Sequence, residues 1–218
     1  MIRRYLMVAA LVGAAFPAMA GEIVDQITTS SGQLASFTNG PFTSDINIVS
    51  AGAEFDGANF TFEANVAGSI GTNPGAAYVF GVNTGTNLAA FAPFMVGESN
   101  VMFDTAVILL GNGTGFVFDV LTNSVSAALP NGSVTVNGDR IDAVVPDSLI
   151  PSLGGFSPGQ YQVDLWTRVG LNGADKTQLA DFAPNNMDVP FETPEPASLT
   201  LFGVGLAGVA VLARRRKA

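Results

Sequence analysis

Three residues that could contact a carbohydrate share one face of a predicted strand late in the chain. In residues 160–169, QYQVDLWTRV, side chains alternate between two faces, so Asp164, Trp166 and Arg168 point the same way. An aromatic ring offers a flat apolar surface to the C–H face of a sugar, and the two charged groups could hydrogen-bond its hydroxyls. A glycan-contact platform is one interpretation of this face. A tryptophan packed in a core or against a sheet edge is the other.

Two carboxylates suited to acid–base chemistry lie close together earlier in the sequence. Glu54 and Asp56 are two residues apart, and therefore share a face of a predicted strand. Two carboxylates that flank a glycosidic bond can hydrolyse it. A solvated strand face explains the same spacing, and we favour that interpretation.

A second acidic group lies beside Asn137-Gly138, a dipeptide that favours a two-residue hairpin turn. Asp139 and Asp142, with Arg140 between them, could hold Ca²⁺ or a sugar. They could also form the salt-bridged end of a hairpin, and we favour this second interpretation.

The residue types that the chain lacks exclude several common sites. It contains no cysteine and no histidine, so thiol nucleophiles, the Ser-His-Asp triad and zinc sites built from Cys or His are excluded. No phosphate-binding loop, dinucleotide fingerprint, G-x-S-x-G motif or D-x-D-x-D-G loop occurs. We therefore predict no catalytic residue, no metal site and no cofactor, and a protein that is not an enzyme.

The charge of the body excludes nucleic-acid binding. Residues 21–193 contain three basic and seventeen acidic residues, a net charge of −14. Such a body repels DNA, RNA and anionic lipid head groups. The acidity suits solubility outside the cell; an affinity for divalent cations is the alternative, although no dense ligand loop is visible.

The first twenty residues have the three parts of a secretory signal peptide. Arg3 and Arg4 precede a short apolar run, and Ala18 and Ala20 place small residues where signal peptidase reads them. We predict cleavage before Gly21. An uncleaved membrane helix is the alternative, but the run is short for a span.

The other end of the chain is predicted to enter a membrane. Residues 197–213 carry no charge and are long enough for a short membrane-spanning helix. The basic residues that follow should stay on the cytoplasmic side by the positive-inside rule; they are Arg214, Arg215 and Arg216, followed by Lys217.

Pro194, Glu195 and Pro196 precede this run and should be extended, because proline fixes its own φ and restricts the residue before it. The order Pro-Glu-Pro, Gly-rich apolar run and arginine cluster resembles the PEP-CTERM sorting signal. The resemblance covers the last 26 of 218 residues. It implies recognition by exosortase, an integral-membrane, transpeptidase-like enzyme of Gram-negative bacteria that make exopolysaccharide. It implies no activity for the rest of the chain.

The body between the two ends is predicted to be all-β. In residues 58–66, Phe60 and Phe62 share one face while Thr61 and Glu63 share the other. Many short strands with Gly/Asn turns indicate an antiparallel β-sandwich, jelly-roll-like, flanked by the signal peptide and a single C-terminal transmembrane helix.

These features divide the chain into four parts: a signal peptide at 1–20, a β-sandwich at 21–182, a tether at 183–193, and the sorting signal with its transmembrane helix at 194–218. The tether is predicted from its prolines.

We expect an exported protein that begins as an inner-membrane-anchored precursor and then reaches the cell surface or extracellular matrix of a Gram-negative bacterium. The expected role is structural or adhesive and associated with exopolysaccharide. The alternatives are a carbohydrate-binding module and a secreted hydrolase that uses only carboxylates. Expected partners are signal peptidase, an exosortase-type transpeptidase and extracellular polysaccharide.

Overall fold

The computed structural model describes residues 22–24, 41 and 43–192. The predicted signal peptide, residues 1–20, and the predicted membrane helix, residues 197–213, lie outside the described residues. Within the described part of the chain, no helix is long and apolar enough to cross a membrane.

The described residues form short strands joined by turns and 3₁₀ helices, without an α-helix. The strands are β1 (Glu22–Val24), β2 (Ile48–Phe55), β3 (Asn59–Val66), β4 (Ala76–Asn83), β5 (Thr105–Leu110), β6 (Thr114–Asp119), β7 (Ser124–Ala128), β8 (Val134–Asn137), β9 (Arg140–Pro146), β10 (Gln162–Val169), β11 (Leu179–Ala183) and β12 (Val189–Pro190). The 3₁₀ helices are Ser44–Ile46, Ala92–Phe94, Asp147–Leu149, Pro158–Gln160 and Lys176–Gln178.

The strands form two antiparallel sheets that pack face to face around a shared apolar core. The five-stranded sheet has the order β1-β2-β3-β9-β8. The seven-stranded sheet has the order β11-β10-β4-β5-β6-β7, with β12 paired to β10. The predicted all-β, antiparallel architecture is confirmed. Sequence neighbours pair through most of both sheets, and long connections place β9 beside β3 and β10 beside β4. The jelly-roll-like order stays a prediction.

The main core, by which we mean the apolar residues between the two sheets, is rich in aromatic rings. Phe60 and Phe62 of β3 are fully buried, and the positions beside them are only partly buried. The ring of Phe60 stacks on Tyr161 with centroids 5.6 Å apart, and meets the ring of Phe191 edge-on at 4.9 Å. The alternation in the sequence therefore places the aromatic face of β3 inward, as predicted.

The outer face of the seven-stranded sheet is covered by residues 84–104, which we call the covering loop. It joins β4 to β5 across the sheet. Phe91 and Phe103 of this loop pack against Trp166 of β10, with ring centroids 4.9 Å and 4.7 Å apart. Every residue of β4 is consequently buried, on one face or the other.

β8 and β9 form a hairpin whose turn differs by one residue from the prediction. Asn137 pairs with Arg140, so the two turn residues are Gly138 and Asp139. Gly138 has a φ of +67°, which suits the first central position of a type II′ turn, where glycine is preferred. The tight hairpin is confirmed, but the prediction that Asn137 is a central turn residue was wrong.

Residues 183–192 belong to the sandwich, which corrects the tether predicted at 183–193. β12 pairs with β10, and the side chain of Phe191 lies in the main core. The Glu192 N–H donates to the carbonyl of Ala53 at 3.0 Å, and its carbonyl accepts from the Phe55 N–H at 2.8 Å. The proline-rich composition suggested a linker, but burial of the Phe191 ring in the main core holds this segment against the sandwich.

Candidate functional site

The strand face that carries Asp164, Trp166 and Arg168 is buried and does not form an exposed glycan platform. The three residues share a face, as the alternation predicts, but the covering loop lies over it. Trp166 is 3% exposed, Arg168 is 7% exposed and Asp164 is fully buried. Of the two interpretations drawn from the sequence, the structure shows the tryptophan packed in a core.

Arg168 organises the chain that follows β10. Its guanidinium donates to the carbonyl oxygens of Gly170 at 2.7 Å and Asn172 at 2.6 Å. It also donates to Oε1 of Gln178 at 2.9 Å. Burial lowers the pKa of Arg168, and the charge of Asp175 acts in the opposite direction. These contacts commit Arg168 to a structural role.

Asp164 is a fully buried carboxyl group without a well-formed hydrogen bond. Neither of its oxygens has a hydrogen-bond partner among the described residues, and the Leu165 amide gives it only a weak polar contact. Burial raises the pKa of Asp164 well above its ordinary range, and Asp188 and Glu98 raise it further. Because an unpaired buried carboxylate is costly, this group must hold a proton or meet a cation.

The register of β10 places Asp164 beside another acid. On one side, Asp164 lies opposite Gly81 of β4. On the other side, Val163 pairs with Val189 of β12. The antiparallel register, continued by one residue, brings Asp188 next to Asp164.

Hydrogen bonds tie the covering loop to the segment before β12 at the same place. The carboxylate of Asp188 accepts from the Met102 N–H at 3.0 Å and 3.2 Å. Oε2 of Glu98 accepts from the Asn186 N–H at 2.5 Å. Oδ1 of Asn186 in turn accepts from the Asn100 N–H at 2.9 Å. Two segments far apart in sequence are thus joined through acidic and amide side chains.

We call Glu98, Asp164 and Asp188 the acidic cluster. Burial raises the pKa of Asp188 to about 7, and its hydrogen bond from the Met102 amide acts in the opposite direction. Across the described residues, no three His, Cys, Asp or Glu side chains are arranged as ready metal ligands. Sequence reasoning missed Glu98 and Asp188, because no spacing along the chain links either one to Asp164.

Asp104 shows what a fully partnered acid looks like in the same loop. Its carboxylate accepts from the N–H and hydroxyl of Thr84, the latter at 2.9 Å. It also accepts from the N–H of Thr86 at 3.2 Å and from its hydroxyl at 2.8 Å. Asp104 therefore fixes the path by which the covering loop leaves β4.

Asp56 has a structural role in the turn between β2 and β3. Its carboxylate accepts from the N–H groups of Ala58 at 2.8 Å and Asn59 at 2.7 Å. These hydrogen bonds, that of the Asn59 amide first, lower the pKa of Asp56. Glu54 stays on β2 and is partly exposed. Asp56 lies beyond the end of β2, so the prediction that it shares a strand face with Glu54 was wrong, although neither side chain is buried.

The acids at the β8–β9 hairpin form ion pairs with Arg140. Its Nη2 lies 2.7 Å from Asp142 and 2.9 Å from Glu63, which lies on the neighbouring β3. Asp139 is exposed in the turn. The structure thus shows the salt-bridged hairpin end.

A family model described as the PEP-CTERM protein-sorting motif matches residues 192–217. The match spans the Pro-Glu-Pro sequence, the apolar run and the basic end, so the resemblance seen in the sequence is confirmed. No curated protein and no solved structure matches the chain. The motif indicates an exported protein that an exosortase-type enzyme processes.

The residues predicted to take part in processing lie outside the described residues and stay predictions. They are Ala18, Ala20 and Gly21 at the signal cleavage site, and Pro194, Glu195, Pro196, Arg214, Arg215 and Arg216 in the sorting motif.

Proposed function

We propose that this chain is a surface or extracellular-matrix protein with a structural or adhesive role associated with exopolysaccharide. The match of the sorting motif to residues 192–217 carries the proposal. Signal peptidase cuts before Gly21, and the inner membrane holds the precursor through residues 197–213. An exosortase-type transpeptidase then acts at the Pro-Glu-Pro sequence, and the body reaches the cell surface or matrix of a Gram-negative bacterium.

The short distance along the chain between the folded body and the motif supports this order of events. Phe191 is anchored in the main core and Glu192 is hydrogen-bonded to β2, so only Thr193 separates the sandwich from Pro194. The body is therefore expected to lie against the membrane face where the motif is processed. We expect the Pro-Glu-Pro sequence to present an extended backbone to the enzyme, because proline fixes its own φ and restricts the residue before it.

The described surface supports a structural or binding role rather than catalysis. Of the two acids considered for hydrolysis, Asp56 accepts hydrogen bonds from the turn that follows β2. A groove of about 400 Å³ at one end of the sandwich is lined by Gly, Asn, Pro, Ala and Leu residues, without an ionisable side chain. We propose accordingly that the protein is not an enzyme, and no observation favours a carboxylate-only hydrolase.

Two sets of substitutions in the tail test the sorting claim by separate physical routes. Replacing Pro194, Glu195 and Pro196 with Ala extends the membrane helix outward and removes the extended segment. We expect a stable, full-length protein retained in the inner membrane. Replacing the four basic residues at 214–217 with Ser removes the positive-inside stop. We expect that variant to leak uncleaved into the periplasm.

Cell fractionation and the mass of the C-terminus distinguish these outcomes. Asp139→Asn, on the exposed hairpin, is the matched control for expression and should be sorted like the wild type. If the Pro-Glu-Pro variant is still trimmed and exported, the tail is a plain membrane anchor and the sorting proposal is wrong.

The role of the body needs its own experiment. The protein should bind no defined oligosaccharide tightly on a glycan array, with or without chelator, and its deletion should weaken cohesion of the matrix. Tight, specific binding of one glycan would instead support the carbohydrate-binding alternative, through a surface other than the buried Trp166 face.

A further inference from the structure

We propose that Asp164 and Asp188, beneath the covering loop, form a binding site for a divalent metal cation, with Ca²⁺ as the ion that the ligand chemistry favours. The site goes beyond the proposed sorting and matrix role, and its test does not depend on that role. It joins the covering loop to the segment that precedes β12.

The first step is that the buried carboxyl group of Asp164 lacks a partner for its charge. Its side chain is fully buried, and neither carboxylate oxygen has a hydrogen-bond partner among the described residues. The register of β10 with β12, continued by one residue, places it beside Asp188, and both Asp188 and Glu98 lie near enough to act on its charge. Acids gathered in a low-dielectric place repel one another unless a proton or a cation lies between them.

The second step is that none of the described basic side chains pairs with Asp164. The basic residues within 43–192 are Arg140, Arg168 and Lys176. Arg140 is paired with acids of the five-stranded sheet. Arg168 donates its hydrogen bonds to residues that follow β10. Nζ of Lys176 donates to the Phe94 carbonyl oxygen at 3.5 Å. The described residues therefore offer Asp164 no cation, and we propose that one from solution takes that place.

The third step concerns which ion fits. Carboxylate, amide and carbonyl oxygens are hard ligands, and the chain has no Cys or His to attract softer metals. Because three carboxylates are not already arranged as ligands, a cation here would combine Asp164 and Asp188 with oxygens of the two adjoining segments. Ca²⁺ tolerates such mixed, irregular shells, whereas Mg²⁺ requires a near-ideal octahedron.

Trp166 provides a direct probe of this site. It is the only tryptophan of the chain, and it lies two residues beyond Asp164 on the same face of β10, about 7 Å along the strand. Terbium(III) is a luminescent substitute for Ca²⁺ that emits strongly when a nearby indole transfers energy to it. We expect saturable Tb³⁺ emission from the full chain in mild detergent, excited through tryptophan, and its displacement by Ca²⁺.

Substitutions assign the emission to the cluster. Asp164→Asn keeps the shape of the side chain and removes one charged ligand, so Tb³⁺ affinity should fall about tenfold or more. Asp188→Asn should do the same. Asp139→Asn, in the exposed hairpin turn, is the matched control and should bind like the wild type. If Asp164→Asn does not fold, the Asp188 variant and the wild-type titration decide the question.

Thermal unfolding gives a second readout. Ca²⁺ at about a hundred times its Kd should raise the Tm of the wild type by about 5 °C, and EDTA should reverse the shift. The Asp164 variant should not respond. If the wild type gives no sensitised emission, or if its Tm ignores both Ca²⁺ and EDTA, the cluster holds protons and the proposal is overturned.

Discussion

The two faces of the seven-stranded sheet are both buried, but they are covered by different material. The inner face packs against the five-stranded sheet, and β4 contributes Tyr78, Phe80 and Val82 to the main core. The outer face packs against one connection, the covering loop, which brings Phe91 and Phe103 together with buried acids. Apolar packing closes the first side, whereas the cover on the second side combines aromatic packing with hydrogen bonds to carboxylates.

Polar groups show the same difference. At the edge of the main core, the hydroxyl of Tyr78 donates to the Asp45 carbonyl at 2.5 Å, and that of Tyr161 donates to the Ile150 carbonyl at 3.2 Å. Under the covering loop, Asp164 lacks such a partner. Paired groups stabilise a fixed arrangement, and an unpaired buried acid marks a place that responds to protons or ions. Paired polar groups thus lie at one face of the sheet, and an unpaired buried carboxyl group lies at the other.

The largest expected effect comes from truncating one phenylalanine on each side of the sheet and comparing the losses of unfolding free energy. Phe60→Ala should cost about 3–5 kcal/mol of unfolding free energy, because two packed sheets cannot close over the cavity. Phe91→Ala should cost about 2 kcal/mol, since the covering loop can move inward. Urea unfolding of both variants measures the difference. Equal losses would show that the loop packs as rigidly as a sheet.

A smaller effect tests whether carboxylate hydrogen bonds hold the cover. Asp104→Ala leaves the buried donors of Thr84 and the partly buried donors of Thr86 unpaired and should cost about 2 kcal/mol. Asp119→Ala is the matched control: its carboxylate accepts from the Leu121 N–H at 2.8 Å, but in an exposed turn. That loss should be about 0.5 kcal/mol. Comparable losses in urea unfolding would contradict the special role of the loop acids.

The smallest expected effect is the stability cost of a substitution in a surface turn that belongs to neither face. Gly138→Val should cost about 1 kcal/mol or more, because a β-branched residue resists positive φ. A Cβ atom added there meets no atom within 4 Å, so we expect the cost to come from the backbone conformation. Gly159→Val, which is also unobstructed but lacks positive φ, should change stability by less than about 0.5 kcal/mol. Thermal unfolding measures both variants. If both have the Tm of the wild type, the turn assignment is wrong.

Much of the fold could be predicted because its signals are local. Alternation along residues 59–66 and 162–169 gave the strands and their two faces. The hairpin after Asn137 was also predicted, although its turn is shifted by one residue. A local pattern tells which residues share a face, but not whether that face meets solvent.

The candidate site was beyond such local reasoning. The face of Trp166 is buried by the covering loop, which lies more than sixty residues earlier in the sequence. This loop has no strand or helix periodicity from which its packing on β10 could be predicted. Asp164, Asp188 and Glu98 meet only after β10 has paired with both β4 and β12. Phe191 likewise had no regular neighbours to mark it as a core residue, so the prolines around it suggested a tether.

The central claim, that the chain is exported and cut at its sorting motif, is tested most directly by the intact mass of the protein recovered from the surface or matrix of its native cells. The account predicts a species that begins at Gly21 and lacks the apolar run and basic end, residues 197–218. An exported protein that retains those residues would contradict it.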